Sequence, residues 1–284
     1  ADTIIGDHVA LLRRLQAQEG GEVYVGGLMG CRGDAYTGEG CLSRAEAADF
    51  HRWQAERFRA AQADFLMAGI MPTLPEALGM AQAMGETGLP YLISFTVQAD
   101  GCLIDGTPIS TAVAAIDGGM ECPPLGYMAN CVHPAILRQA LEQPCNRTEL
   151  VRRRFLGLQA NTSARSYAEL EQGVGLAPSG PEKLAREMVR LEREQGLRLF
   201  GGCCGTDGRY LAAMASAVSA VFGLISIDGS SLKLLSSAFI RVMDGALRAG
   251  ERIKMMATGA EFDVVEVGFM GATSLQPQDE LCAG

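Results

Sequence analysis

Two adjacent cysteines, Cys203 and Cys204, form the part of this sequence best suited to chemistry. They follow an apolar run at 197–200 and lie in a glycine-rich bend that could direct both sulfur atoms at one point. Two thiolates are half of a tetrahedral zinc site, which predicts a further ligand elsewhere in the chain. Cys131 is the candidate, because it also lies where an apolar run passes into a turn. Taken alone, the pair at 203–204 could instead be inert buried thiols or a disulfide.

Three cysteine ligands with one open position are the arrangement of a catalytic zinc ion. A substrate thiol in the open position would be held as its thiolate at neutral pH. We therefore predict that Cys131, Cys203 and Cys204 bind Zn²⁺ and are the catalytic residues, with the metal generating a thiolate nucleophile from a substrate thiol. His133 could be a fourth ligand, or could cap a helix or hydrogen-bond near the site.

The paired motifs of this region resemble those of a known family. Asn130-Cys131 with a following proline, together with Gly-Gly-Cys-Cys-Gly-Thr at 201–206, resembles the zinc-dependent homocysteine S-methyltransferases. That family includes betaine-, S-methylmethionine- and folate-linked enzymes. The resemblance implies an α/β fold of the (β/α)₈ TIM-barrel type, a Zn²⁺ cofactor, a small-molecule thiol acceptor such as homocysteine, and a small-molecule methyl donor.

The same resemblance implies four substrate-binding positions. Asp244 matches an aspartate near the zinc and the amino acid substrate, or else caps a local turn. Asn161 matches a strand-end asparagine near the pocket, and Asn130 is expected to brace the metal loop. Tyr36, in a Tyr-Thr-Gly sequence, either lines the substrate mouth or shapes its loop. His51 matches a helix position that we interpret as structural.

One position departs from the family pattern. Relatives that bind homocysteine carry Glu-Thr-Ile-Pro at the end of the strand that here reads Gly69-Ile-Met-Pro72. Gly69 replaces the glutamate that holds the substrate ammonium group. Loss of that carboxylate removes a charge-assisted hydrogen bond, so the acceptor could be a thiol other than homocysteine.

Short apolar runs alternate with helical patterns along the chain, which predicts βαβ units and a parallel sheet. The predicted strands are 22–27, 64–70, 91–96, 125–131, 155–161 and 197–203. The predicted helices include 3–18, 43–61, one from Pro75, and 181–195. A (β/α)₈ barrel needs two strands more than these six.

The C-terminal tail offers candidates for the two remaining strands. Family members open with a strand that ends in Asp-Gly-Gly or Asp-Gly-Ala, and here that pattern occurs at 239–246. We predict one barrel domain over 1–284 in circularly permuted order, in which 1–215 supplies family strands three to eight and 216–284 supplies the first two. The alternative is an incomplete barrel with a separate tail.

The composition limits the classes of partner. A net charge of −9 over 284 residues argues against nucleic acid as a partner, because no basic stripe offsets it. The uncharged stretch 210–227 favours a buried helix running into a strand, with no membrane span. The nine cysteines show no disulfide-scaffold spacing, and no signal peptide is recognised, so we expect a cytoplasmic protein.

Two other functions fit the same residues. The first is a demethylating subunit that passes a methyl group from a small amine or sulfonium to a corrinoid protein or another carrier. The second is a non-catalytic, zinc-stabilised binding subunit, which predicts a closed four-ligand site, completed for example by His133. The sequence leaves the oligomeric state open.

Overall fold

The computed structural model describes residues 2–19, 23–164 and 179–218, and in the tail 246–254, 261–264, 267–270, 275–278 and 280–282. The helices are α1 Asp2–Glu19, α2 Arg44–Ala60, α3 Leu74–Gly85, α4 Ile109–Gly119, α5 Pro134–Leu141, α6 Glu149–Arg154, α7 Pro181–Gln195 and α8 Gly208–Ala217. The first six strands are β1 Gly26–Gly30, β2 Phe65–Met71, β3 Tyr91–Phe95, β4 Gly126–Val132, β5 Phe155–Ala160 and β6 Leu199–Gly202. The short tail strands are β7 Ala246–Arg248, β8 Arg252–Lys254, β9 Glu261–Asp263, β10 Val267–Met270, β11 Leu275–Gln278 and β12 Glu280–Cys282.

Strands β1 to β6 form a single six-stranded sheet in the order of the sequence, and all neighbouring pairs are parallel. Each neighbouring pair is connected through at least one helix, as parallel pairing requires. This order is that of the strands in a (β/α)₈ barrel. The predicted parallel α/β sheet is therefore confirmed, while closure into eight strands is not seen among the described residues.

Strands β2, β3 and β4 are buried on both faces, which explains their nearly continuous apolar runs, whereas Leu28 of the edge strand β1 is exposed. Successive residues of a strand point to opposite faces. In β2, for example, Leu66 and Ala68 belong to the large core shared with the helices, whereas Met67 packs with Leu92 and Met128 in a smaller cluster. The helices thus cover one face, and the smaller cluster lines the other.

Most predicted element bounds agree with the structure to within one or two residues. Helix α2 begins after Ser43, which forms a capping box with Glu46. The prediction for the first strand was wrong, because pairing with β2 extends over Gly26–Gly30 rather than ending at Gly27. Glycine has low strand propensity, so only the neighbouring strand specifies this register.

The described tail strands pair with one another and not with the six-stranded sheet. β7 pairs with β12, β8 with β9 and β10 with β11, all antiparallel. The connections from β8 to β9 and from β10 to β11 are too short for the helical crossover that parallel strands need. That 216–284 supplies the first two barrel strands stays a prediction. The predicted strand at 239–244 lies outside the described residues.

The uncharged stretch at 210–227 begins inside α8, as expected, and its residues 219–227 lie outside the described part. Among the helices that the structure describes, none combines the length and the hydropathy that a membrane crossing requires.

Candidate metal centre

The three predicted metal ligands meet at one edge of the sheet. Cys131 lies near the carboxyl end of β4, and Cys203 and Cys204 directly follow β6. The Cys204 sulfur lies 3.8 Å from that of Cys131 and 3.9 Å from that of Cys203. Cys131 and Cys203 are joined in a disulfide, with Cα atoms 5.6 Å apart. The sequence-predicted convergence is therefore present, at the edge where barrel active sites assemble.

The spacing of these sulfur atoms fits a tetrahedral metal site. Zinc–sulfur bonds of about 2.3 Å place two ligand sulfurs about 3.8 Å apart in a tetrahedron. Both separations to Cys204 match this value. The disulfide between Cys131 and Cys203 must be reduced before all three can bind, because thiolates are the metal ligands. Among the described residues, no further His, Cys, Asp or Glu joins this group.

The three thiols differ in exposure. Cys131 is buried, whereas Cys204 keeps an exposed surface. Neighbouring protein atoms nevertheless desolvate the Cys204 thiol and raise its pKa above the ordinary value. The Cys204 thiol is therefore protonated at neutral pH in the metal-free protein, and a cation would have to displace that proton.

Cys131 is directed into the site by an unusual backbone conformation. Its φ of 56° lies in the left-handed region, and the pairing of β4 with β5 shifts register between Asn130 and Val132. Ile70 on β2 has a φ of 49° and lies within a similar register shift between Ala68 and Met71. Left-handed conformations cost free energy for residues with a Cβ, most of all for a β-branched one, so surrounding contacts must hold both bulges.

Asn130 connects the two bulges. Its Oδ1 accepts a hydrogen bond from the Ile70 backbone N–H at 2.9 Å and from the Ser94 hydroxyl at 2.6 Å. Both side chains are buried. Asn130 therefore joins β4 to β2 and β3, whereas its bracing of the metal loop stays a prediction. A substrate contact by Asn130 stays a prediction.

The turn after β6 is held by its own backbone and by Thr162. Gly205 has a φ of 79°, and a Cβ there would lie 2.2 Å from the Thr162 hydroxyl oxygen. The Thr162 N–H donates to the Cys204 carbonyl at 3.1 Å, and Thr206 donates through both its N–H and its hydroxyl to the Cys203 carbonyl. Only glycine fits at 205, which explains the glycine in the motif.

His133 is engaged away from the sulfur atoms. It is the N-cap of α5, where its Nδ1 accepts a hydrogen bond from the Ala135 N–H at 3.2 Å. Its Nε2 lies 3.2 Å from the Ser179 hydroxyl. Both ring nitrogens therefore have partners, which confirms the predicted capping role. Burial lowers the pKa of His133, so the neutral ring fits this environment.

The remaining predicted site residues have different placements. Tyr36 is half-buried, and its pKa is raised by desolvation and by the nearby Cys204. Asn161 is buried, and its Oδ1 accepts from the Ser163 N–H in an Asx turn. At Gly69 a Cβ would lie 3.9 Å from the Asn130 side-chain nitrogen, so this position faces the Asn130 side chain. Asp244 lies outside the described residues.

Two supporting residues escaped the sequence analysis. Ser94 on β3 is a donor to the Asn130 oxygen, and Glu76 on α3 contacts the loop that carries Tyr36. A serine within a buried strand and a glutamate in the first turn of a helix are both common, so the local sequence does not mark either residue as functional. A buried polar side chain in an apolar run, as at Ser94, was the one available signal.

A family model described as "Homocysteine S-methyltransferase" matches residues 1–218 of the chain. Among solved structures, the chain is similar to the homocysteine methyltransferase MmuM from Escherichia coli. The metallated form has a TM-score of 0.59 and 23% identity, covering 76% of this chain and 70% of that one. The oxidized form has a TM-score of 0.60 and 24% identity, covering 76% and 71%. At this identity the likeness to solved structures supports the fold.

A short part of the chain is similar to a different protein. Elongation factor 4 of Bacillus velezensis is 53% identical over 47 residues, which is 16% of this chain and 8% of that protein. Elongation factor 4 of Lachnospira eligens is 52% identical over 46 residues, again 16% and 8%. The chain thus spans about a twelfth of the length of these curated relatives.

Proposed function

The chain belongs to the homocysteine S-methyltransferase family, and from this premise we propose that it is a zinc-dependent methyltransferase that passes a methyl group to a thiol such as homocysteine. The observation that carries the proposal is the convergence of three cysteine sulfurs at the carboxyl edge of the sheet. The two separations to the Cys204 sulfur suit one tetrahedral cation, which all three cysteines can bind once the Cys131–Cys203 disulfide is reduced. The proposed partners are a small-molecule thiol and a small-molecule methyl donor.

Cys131, Cys203 and Cys204 are the residues that would hold the cation. Bound zinc supplies a thiolate acceptor at neutral pH, because coordination lowers the pKa of a thiol. A sulfonium or quaternary ammonium donor leaves as a neutral molecule, so the chain needs no general acid. Its own residues therefore have to bind and orient the acceptor and to keep water away from it. Buried Asn130 ties β4, the strand that carries Cys131, to β2 and β3.

An open fourth position supports catalysis over a purely structural role. A closed structural site uses four protein ligands. His133 is hydrogen-bonded elsewhere, and within the described part of the chain no other candidate ligand reaches the three sulfurs. The exposed Cys204 marks the side from which a substrate thiol could enter.

The test measures zinc content and methyl transfer on the same reduced samples. The protein is prepared with a thiol-free reductant, loaded with zinc, and assayed with homocysteine and three donors: a methylsulfonium compound, betaine and methylcobalamin. We expect one zinc per chain and S-methylated product. Cys131→Ser, Cys203→Ser and Cys204→Ser should each weaken zinc binding by more than the roughly 10–100-fold typical of residues outside the ligand set.

Cys122→Ser is the matched control, because Cys122 is an exposed free thiol outside the cluster. It should keep full zinc content and activity. Methyl transfer from a sulfonium or amine to added cobalamin, with none to thiols, would replace the proposal by the demethylating alternative. A zinc-loaded protein that transfers no methyl group at all would refute the proposed activity.

A further inference from the structure

Glu76, near the start of α3, is a fully buried carboxylate outside the cysteine cluster. Its Oε1 lies 3.1 Å from Nε2 of His51, which is buried on α2. The Cys41 thiol also hydrogen-bonds to it, and burial together with this carboxylate raises the pKa of Cys41 to about 12. Burial alone would raise the pKa of Glu76, but the hydrogen bonds it accepts hold that pKa below its usual range. The ion is thus stabilised by donors rather than by solvent.

The same carboxylate holds both ends of the loop at 31–42, which follows β1. Oε1 accepts the Arg32 backbone N–H at 2.7 Å, and Oε2 accepts the Leu42 backbone N–H at 3.1 Å. These two residues are separated by the whole loop, so one side chain closes it. Charge-assisted hydrogen bonds of this kind are stronger than neutral ones.

The loop between these two points is tightly folded. Asp34 Oδ1 accepts the N–H groups of Tyr36 and Thr37, both at 2.8 Å, and the Gly38 N–H donates to the Asp34 carbonyl at 2.9 Å. A motion at the ends is therefore transmitted to Tyr36. The loop follows the carboxyl end of β1, and the site cysteines lie at the carboxyl ends of β4 and β6, so the loop and the cysteines share one edge of the parallel sheet. The loop thus connects Glu76 to the cysteine site.

We propose that Glu76 is a positioning residue, whose buried carboxylate fixes the loop at 31–42 and thereby holds Tyr36 beside Cys204 at the mouth of the site. This inference rests on the proposed function for its kinetic consequence alone. Glu76 touches no substrate, and its effect on the acceptor thiol passes through Tyr36. The neighbouring Cys31, Cys41 and His51 do not form a second metal site, because within the described chain only the three site cysteines converge as ligands.

The test compares Glu76→Gln with Glu46→Gln in the zinc-loaded protein. Glutamine replaces one of two acceptor oxygens by a donor, so either Arg32 or Leu42 loses its partner. Glu46 is a matched control, since its carboxylate also accepts a backbone N–H, that of Ser43 at 3.0 Å, but is exposed. The measurements are hydrogen exchange of loop amides, zinc content, and KM and kcat for the thiol acceptor.

We expect Glu76→Gln to speed amide exchange in the loop by about 10-fold or more and to raise KM by a similar factor. Zinc content should stay at the wild-type level, because its ligands lie on β4 and after β6, and kcat should change by less than about threefold. Tyr36→Phe should change KM without changing loop exchange. Glu46→Gln should leave both unchanged.

Unchanged loop exchange in Glu76→Gln would overturn the proposal, as would faster exchange with an unchanged KM. If Glu76→Gln fails to fold, Asp34→Ala loosens the same loop from its exposed side, and the same pair of changes is expected. If the wild-type protein methylates no thiol, the proposed function fails. The positioning role of Glu76 is then tested by hydrogen exchange of the loop amides and by the rate of alkylation of Cys204 in the reduced, metal-free protein. Slower or equal alkylation in Glu76→Gln would refute it.

Discussion

Asn130→Ala should be among the most destabilising single substitutions near the site. The Asn130 oxygen accepts two hydrogen bonds, from the Ile70 N–H at 2.9 Å and the Ser94 hydroxyl at 2.6 Å. Removing it leaves two donors without partners, and Ser94 is fully buried. Each orphaned buried donor costs about 1–3 kcal/mol. The Ser94 hydroxyl can rotate toward another acceptor, so we expect a loss of about 3 kcal/mol.

The loss is measured by urea unfolding of the reduced, metal-free protein, which separates folding from the contribution of metal binding. It corresponds to a fall in Tm of about 6–12 °C for a domain of this size. Asn130→Asp is the matched variant, because it keeps an acceptor oxygen at the same place and should retain more stability than Asn130→Ala. Zinc affinity of Asn130→Ala should fall by about 10–100-fold, since the residue supports the backbone of Cys131.

The double variant Asn130→Ala/Ser94→Ala distinguishes loss of the Asn130–Ser94 hydrogen bond from a general packing defect. Removing Ser94 with its acceptor leaves one orphaned donor instead of two, so the pair should be about 1 kcal/mol more stable than the sum of the single losses. A loss below about 0.5 kcal/mol in Asn130→Ala would refute the reasoning, because changes of that size are typical of surface sites. Strict additivity of the two single changes would refute the shared hydrogen bond.

Three further predictions test the site and its support. In reductant, zinc affinity should fall steeply as pH decreases below the thiol pKa values, which are near 8.5 in free cysteine, because up to three protons compete with the metal. A chelator titration at several pH values measures how steeply zinc affinity changes with pH. Gly205→Ala places a Cβ against Thr162 at a φ of 79°, so it should lower the free energy of unfolding by about 1–3 kcal/mol and should lower zinc affinity. Gly88→Ala, at a φ of 74° with open space around it, should destabilise the fold less and leave zinc binding unchanged. Arg13 pairs with Asp64 at 2.8 Å and lowers the pKa of that carboxyl. The pair therefore stabilises the fold above the unfolded pKa of about 3.9, and this stabilisation is lost as pH falls through the lower folded pKa. Arg13→Gln should lower the free energy of unfolding by about 0.5–1 kcal/mol at pH 7 and should make that free energy depend less on pH across this acid range.

The parts of the fold that follow from local pattern were predictable. Apolar runs bounded by turns predicted β2, β3 and β4 well because these strands are buried on both faces, whereas β1, with exposed Leu28, was the strand whose bounds were wrong. Parallel order then brings all carboxyl ends to one edge, so Cys131 and the pair at 203–204 could be placed together without knowing a single distance. The tail was different. Its described strands are three or four residues long, and two of their three pairs are local hairpins. A matched tripeptide such as Asp244-Gly-Ala carries no information about pairing direction.

The parts that local pattern could not predict are those where the backbone opposes local preference. Nothing in Ala-Gly-Ile or Asn-Cys-Val favours a left-handed residue, yet Ile70 and Cys131 both adopt one. Asn130 makes this possible, because it satisfies the Ile70 N–H that the bulge removes from the sheet ladder. The bulge in β2 and the bulge in β4 are therefore one feature: the residue that precedes the metal ligand holds the neighbouring strand in its strained form. A substitution that relaxes Ile70 should consequently be felt at Cys131, and the orientation of the first sulfur ligand depends on a hydrogen bond between strands rather than on the cysteine motif itself.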